Sequence, residues 1–274
     1  MYHPTESLVQ HIASYAGQVD KLYLVDNSEP PNFELGRRLM ASGTVEYLPQ
    51  GENLGVARAL NIGARLAIDD GYTFLLTMDQ DSVATPTMVH TMLNCLKDNA
   101  LDSFGIIAPF HSLLSEPNSE RRGCDETDVV LTSGNLLNLR AYEKVGPFID
   151  DFFIDMVDIE YCLRLRFNGY IILRCYDALL KHNLGNISKH CYRGRTVCVS
   201  NHPPLRRYYM ARNRFYLNDH YRLYYPEFCS QQFRQLLGEI KGIILFEENK
   251  IDKLRMTLKG YLDYRRGRMG RFLE

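Results

Sequence analysis

The first 110 residues switch repeatedly between two hydrophobic periods, and this switching constrains the fold more than any other feature. Leu22-Tyr23-Leu24-Val25, Val45-Glu46-Tyr47-Leu48, Thr73 to Met78 and Phe104 to Ala108 are short apolar runs with the length of buried strands. Between them lie helical patterns. In 53–68, Val56, Leu60, Ala64 and Ala67 share one face; in 86–97, Pro86 suits a first turn and Val89, Met92, Leu93 and Leu96 form the stripe. Glu6 to Tyr15 predicts a further helix. Strands alternating with helices predict an α/β fold built on a mostly parallel, doubly wound sheet. Ligands of such sheets bind beyond the carboxyl ends of the strands. Asp26-Asn27 and Asp79-x-Asp81 both fall at such ends.

Beyond residue 110 the pattern changes. A polar loop at 111–127 precedes strand-like Asp128 to Thr132 and Leu136 to Leu139, a helix over 155–168 and a strand from Ile171 to Cys175. From 204 onward the spacing is helical, in three stretches: 204–222, 226–247 and 249–265. This predicts a sheet-bearing domain over 1–202 and a helical region over 203–274. Charge follows the same division. Residues 1–202 carry 17 Lys and Arg against 25 Asp and Glu, and 203–274 carry 15 against 8. A basic tail on an acidic body suggests an anionic partner, either nucleic acid or a lipid headgroup surface, or else packing of the tail on the body.

Seven scattered cysteines, with no C-x-x-C, argue against a disulfide framework and structural zinc and for a reducing, cytoplasmic setting. No run of about 18 apolar residues is present, so no transmembrane helix is expected. The opening residues do not have the pattern of a signal peptide.

Four constellations carry candidate chemistry. Asp79 and Asp81 end an apolar strand, where a carboxylate pair suits Mg2+ or Mn2+ and, through it, a diphosphate. The same D-x-D-x-V pattern resembles the nucleophile motif of haloacid-dehalogenase-type phosphohydrolases, with Asp79 attacking. It is also compatible with a plain polar turn. Asn53-Leu54-Gly55, with Asn61 two turns on, reads as a helix start capped by Asn53, with Gly55 permitting close approach. Asp155, Asp158 and Glu160 fall early in a predicted helix, where acids suit the dipole and one could serve as a general base. His182 is a metal ligand or a structural histidine.

The order of these pieces is more specific than any one of them. Asp26-Asn27-Ser28 after a strand is followed by N-x-G-x-A-x-A-x-N-x-G from Asn53 and D-Q-D from Asp79. Then come Thr132-Ser133-Gly134-Asn135, F-I-D-x-x-D-x-E-Y-x-L-R from Phe153, and Arg206-Arg207-Tyr208-Tyr209-x-x-Arg212-Asn213. Over roughly 2–220 the sequence resembles the GT-A-fold family 2 glycosyltransferases, most closely the bacterial rhamnosyltransferases of O-antigen and surface-polysaccharide synthesis.

The resemblance implies a nucleotide-sugar donor, a glycan or lipid-linked glycan acceptor, and a single inverting displacement aided by Mg2+ or Mn2+. By it, Asp26 and Asn27 would meet the donor base, and Asn53, Gly55 and Asn61 would line the nucleotide pocket. Asp79 and Asp81 would hold the metal with His182, Ser133 and Gly134 would lie under the sugar and acceptor, and Asp158 would be the base. It further implies a cytoplasmic enzyme, peripheral on the inner face of the cell membrane, with no nucleic-acid partner. Relatives carry a strand ahead of the segment matching Tyr2-His3-Pro4, and that first strand is missing from this sequence. A degenerate relative that only binds a sugar nucleotide is the non-catalytic alternative.

Overall fold

The structure, a computed structural model, describes residues 1–41, 43–96, 103–112, 121–181, 187–192 and 194–273. The chain forms two compact units, one made of 1–150 and 161–183 and the other of 151–160 and 184–274.

The first unit holds the α/β pattern read from the sequence. Helix α1 (Ser7–Ala16) precedes strand β1 (Leu22–Asp26), helix α2 (Phe33–Met40) and strand β2 (Val45–Pro49). Helix α3 (Val56–Asp69), strand β3 (Phe74–Thr77), the short strand β4 (Val83–Ala84), helix α4 (Met88–Cys95) and strand β5 (Phe104–Ser112) follow. Next come β6 (Cys124–Glu126), β7 (Asn135–Asn138), α5 (Leu139–Val145), α6 (Val157–Phe167), whose first turn belongs to the second unit, and β8 (Ile171–Lys181).

β1 and β2 pair in parallel. A second sheet has the order β3-β7-β5-β8-β4, with β6 also on β8. Within it β3, β5 and β8 run the same way, as alternation requires, while β7 lies antiparallel between β3 and β5. Alternation could not foresee that reversal, because β7 is reached by the loop rather than by a helical crossover. Asp128 to Thr132, expected as a strand, is irregular, and β8 continues six residues beyond the expected Cys175. The core gathers Leu8, Ile12, Leu24, Leu35, Met88, Met92, Ile107, Leu136, Leu173 and Leu180 between sheet and helices.

β1 pairs with β2 through one edge only. Along the other edge lies Met1, whose ammonium donates to the Val25 carbonyl at 2.6 Å and whose carbonyl accepts from the Asn27 amide at 2.9 Å. Residues 1–3 thus stand beside β1 where the resemblance places the end of a first strand.

The second unit contains the hairpin β9 (Ser188–Tyr192) and β10 (Arg195–Val199), then helices α7 (Pro204–Tyr221), α8 (Pro226–Phe246) and α9 (Lys250–Arg265). The three helices match their predicted spans to within about two residues. α7 and α9 pass so closely at Gly260 that a Cβ there would collide with the Tyr208 carbonyl. Buried ion pairs join the bundle: Arg207 to Glu239 and Glu247, Arg214 to Glu239, and Lys253 to Glu247. These pairs draw on two of the tail's own acids, so its net basic excess remains. The boundary also differs from the expected 202/203, because residues 151–160 are held by α7.

Candidate active site

At the strand ends of the first unit, residues 1–3 connect the two polar motifs. The Tyr2 amide donates to Gln80 Oε1 at 2.7 Å, Gln80 Nε2 donates back to the Tyr2 carbonyl, and the His3 amide donates to Ser28 Oγ at 2.8 Å. The tip of β1 and the D-Q-D turn after β3 are thereby set side by side. Burial lowers the pKa of the Met1 ammonium, opposed by the nearby carboxylates of Asp26 and Asp79.

Asp26 is fully buried. One oxygen accepts the Ser28 amide; the other accepts the Asn32 amide and the Tyr47 hydroxyl, at 2.6–2.9 Å. Burial favours the protonated form, but these donors outweigh it and the pKa falls below the usual carboxylate value. Asp26 therefore fixes the loop into α2, whose N-cap is Asn32. Beside that loop an open cleft of about 530 Å³ is lined by His3, Pro4, Ser28, Pro30, Pro31, Asn32, Phe33 and Glu34. The neighbouring Asn27 donates to the Gly55 carbonyl at 3.0 Å, while its buried Oδ1 has no partner among the described residues.

Asn53 is not the cap of α3. Its Oδ1 accepts the Gly55 amide in a local turn, and Gly55, at φ 82°, is the residue that enters the helix. Glycine suits that left-handed entry because a Cβ would be strained there. Asn61, expected along the nucleotide pocket, is engaged in internal hydrogen bonds. Its amide donates to the Phe148 carbonyl and Asp150, and its carbonyl accepts from Tyr142 and the Phe148 amide, all at 2.7–2.9 Å. That uses the full capacity of an asparagine. Asn61 is a buried clamp between α3 and the loop after α5.

The D-Q-D turn is held from beneath. The Thr77 hydroxyl donates to the Thr132 carbonyl at 2.6 Å, and the Gly134 amide donates to the Thr77 carbonyl at 2.6 Å. The buried Ser133 hydroxyl accepts the Asp79 amide and donates to Ser82 at 2.7 Å, and His111 donates to the Ser133 carbonyl at 2.9 Å. Gly134, at φ 82°, has no room for a side chain against Pro109 and Leu180. Ser133 and Gly134 thus support the acidic turn from below. Asp79 is half-buried and Asp81 exposed. Two carboxylates on a rigid turn suit a hard cation that takes its other oxygens from a diphosphate and water. His182 lies outside the described residues.

In the second unit, the stretch before α6 carries unusual backbone. Phe153, Asp155 and Met156 all have φ 64°. Such left-handed non-glycine residues persist only where surroundings hold them. Asn213 Nδ2 donates to the carbonyls of Phe152, Ile154 and Asp155 at 2.8–3.0 Å. Arg212, fully buried, donates to the carbonyls of Asp151, Phe152 and Gly270. Arg206 binds both oxygens of Asp155, and Tyr209 stacks on Phe153.

The three acids now separate. Asp155 is paired with Arg206, and Glu160 is buried and accepts the Tyr221 hydroxyl at 2.8 Å. Asp158, in the first turn of α6, is half-exposed and accepts its neighbour Ile159's amide. The clamp of Arg206, Arg212 and Asn213 was quoted in the sequence as a motif, but its job was not legible. Side chains that recognise carbonyls leave no complementary residue type in the sequence.

An α/β sheet with an acidic turn beyond one strand end, beside a cleft beyond another, is an arrangement compatible with a glycosyltransferase of the GT-A fold. The comparisons agree. Residues 4–130 match the family model described as Glycosyl transferase family 2. Over 270 residues it is 28% identical to the dTDP-rhamnosyl transferase RfbF of Shigella flexneri, covering 90% of this chain and 88% of that one. Among solved structures it is similar to S. aureus TarS (TM-score 0.58, 12% identity, 97% of this chain). It is also similar to GalNAc-T7 with UDP, GalNAc and Mn2+ (TM-score 0.56, 11% identity, 78% of this chain). This chain spans 47% of the length of each of those two structures, and at such identities they show the fold alone.

Proposed function

We propose that this glycosyltransferase moves rhamnose from a dTDP-linked donor to a hydroxyl of a glycan or lipid-linked glycan, with inversion at the anomeric carbon. The observation that carries the sugar assignment is the likeness to a dTDP-rhamnosyl transferase along nearly the whole of both chains. The D-Q-D turn supports the chemistry, because its backbone is fixed from below while Asp79 and Asp81 stay accessible. Mg2+ or Mn2+ held there by Asp79 and Asp81 would neutralise charge developing on the departing diphosphate. The cleft beside Asp26 and Phe33 takes the base, and Asn27 Oδ1 is the buried acceptor awaiting a donor.

Asp158 accepts the proton of the acceptor hydroxyl as its oxygen attacks. Asp158 is half-exposed in the first turn of α6, whereas Asp155 is held by two nitrogens of Arg206 and Glu160 is buried against Tyr221. No protein nucleophile is required, so Asp79 need not act as one. The account is tested with a panel of nucleotide sugars in Mn2+ or Mg2+. dTDP-rhamnose should give the largest thermal stabilisation and the fastest donor hydrolysis. Stabilisation by UDP-sugars alone contradicts the sugar assignment, and turnover of a simple phosphate ester lost in Asp79→Asn would favour the phosphohydrolase reading.

Among the described residues no helix is long and apolar enough to cross a membrane. On α8 and α9, exposed Phe233, Leu237, Ile244, Ile251 and Leu258 alternate with exposed Arg234, Lys241, Lys250 and Arg255. Apolar side chains interleaved with cations suit an anionic lipid surface, where each Lys or Arg contributes about 1 kcal/mol. This supports peripheral attachment, where a lipid-linked acceptor would be found. Absence of binding to anionic vesicles at low salt would remove it.

A further inference from the structure

The sequence places Cys95, Cys124 and Cys175 far apart, yet the fold brings all three sulfurs within 4.8 Å of one another. Cys95 ends α4, Cys124 opens β6, and Cys175 lies directly opposite Cys124 across the β6–β8 pairing. In the structure Cys95 and Cys124 are joined as a disulfide, contrary to the expectation of reduced, unpaired cysteines, and Cys175 Sγ stands 3.4 Å from Cys95 Sγ. No other cysteine of the described residues takes part; Cys162, Cys191, Cys198 and Cys229 form no disulfide. A disulfide accounts for two of these thiols and leaves the proximity of the third unexplained.

We propose that, once the Cys95–Cys124 bond is reduced, the three cysteines form a binding site for a soft, thiophilic cation of the Zn2+ class. Three observations point there. First, the spacing is right. Four-coordinate zinc with Zn–S bonds of about 2.3 Å sets its sulfurs roughly 3.8 Å apart, inside the range the three sulfurs already span. Second, among the described residues the ligand set is sulfur only, which selects soft cations over Mg2+ or Mn2+. The site is thus chemically separate from the acidic turn. Third, access is one-sided. Cys175 is fully buried in the apolar core near Met92, Leu96 and Leu173, while Cys95 and Cys124 are only half-buried. A cation can enter from the rim, with water as its fourth ligand.

The disulfide and the cation exclude each other. An external dithiol donates two electrons and two protons to the Cys95–Cys124 bond and becomes a disulfide itself, leaving two thiols here. The cation then displaces the thiol protons to solvent, since the thiolate is the ligand. Bound, it would join α4, β6 and β8 at one point.

The test uses the full chain, reduced with a phosphine under anaerobic conditions and freed of reductant. Titration with Co2+ should give sulfur-to-cobalt charge-transfer and tetrahedral d–d absorption that saturates at one equivalent. Zn2+ should abolish that absorption. The oxidised chain should give no such signal, Cys175→Ser should lose it, and Cys191→Ser with Cys198→Ser should keep it. Wild-type protein supplies a second measurement that does not depend on a core variant folding. Bound Zn2+ should protect Cys95, Cys124 and Cys175 together from alkylation, read by mass spectrometry. No signal from the reduced chain overturns the proposal, as does an equal signal from the oxidised chain or Cys175→Ser. Zn2+ protection that spares any one of the three also overturns it.

Discussion

Asn213 reaches Asp155 across the second unit, its side-chain amide donating to the Asp155 backbone carbonyl at 2.8 Å while also holding the carbonyls of Phe152 and Ile154. One side chain thus fixes three peptide groups in the stretch that carries left-handed Phe153, Asp155 and Met156. Two residues after that stretch stands Asp158. The left-handed stretch before α6 thus directly precedes the acid at its start.

Replacing Asn213 with Ala removes its donation to three carbonyls, of which that of Phe152 keeps Arg212 and the Ile154 amide, and loosens that stretch. Transfer should fall about 100-fold, since a misplaced reacting group of about 1 Å costs that much. Donor binding, read by thermal shift with dTDP-rhamnose, should remain. Unchanged kcat in a folded Asn213→Ala variant would show that the stretch is not part of the catalytic arrangement.

Asn61→Leu should behave in the opposite way. It removes four internal hydrogen bonds and leaves the Phe148 amide and carbonyl unpaired. Unsatisfied buried groups cost about 1–3 kcal/mol each, so a loss of about 3 kcal/mol is expected. KM for the donor should hardly move. A large rise in KM without loss of stability would return Asn61 to the nucleotide pocket.

Asp26 links fold to pH. Its folded pKa lies below the unfolded value of about 3.9, so its stabilising contribution is complete above that value and is lost as pH falls through the folded pKa. Asp26→Asn should therefore lower stability at pH 7 and flatten the acid limb of a Tm-against-pH curve. An unaltered acid limb would show that the three donors to Asp26 do not set its ionisation.

Gly260→Ala should destabilise the second unit, because its new methyl meets the Tyr208 carbonyl where α7 and α9 cross. Overpacking of this kind costs about 1–3 kcal/mol. Denaturant unfolding should show it as a lower midpoint at constant slope. No shift in the midpoint would mean that the helices separate easily.

The parts legible in the sequence are those where local pattern and final environment agree. β1, β2, β3, α3 and the three C-terminal helices carry their periodicity in their own residues, and the structure places them accordingly. The position of Asp79 and Asp81 in a turn beyond β3 was legible because a strand that ends on two acids is itself a local signal. What stayed hidden depends on partners distant in sequence. α2 is only eight residues, with its cap, Asn32, just after two prolines that read as a turn. β7 reverses direction because of what it packs between. Asn61 looks like a pocket residue until Tyr142 and Phe148 arrive around it, and no spacing rule joins Cys95, Cys124 and Cys175.

The central claim is that Asp158 takes the acceptor proton in a reaction whose donor is held elsewhere. The direct measurement is transfer and donor binding by Asp158→Asn, an isosteric change in the first turn of α6. The account predicts transfer lowered at least about 1,000-fold, within the reach of general-base and positioning effects together, with stabilisation by dTDP-rhamnose and Mn2+ unchanged. Wild-type transfer by a folded Asp158→Asn protein would contradict it.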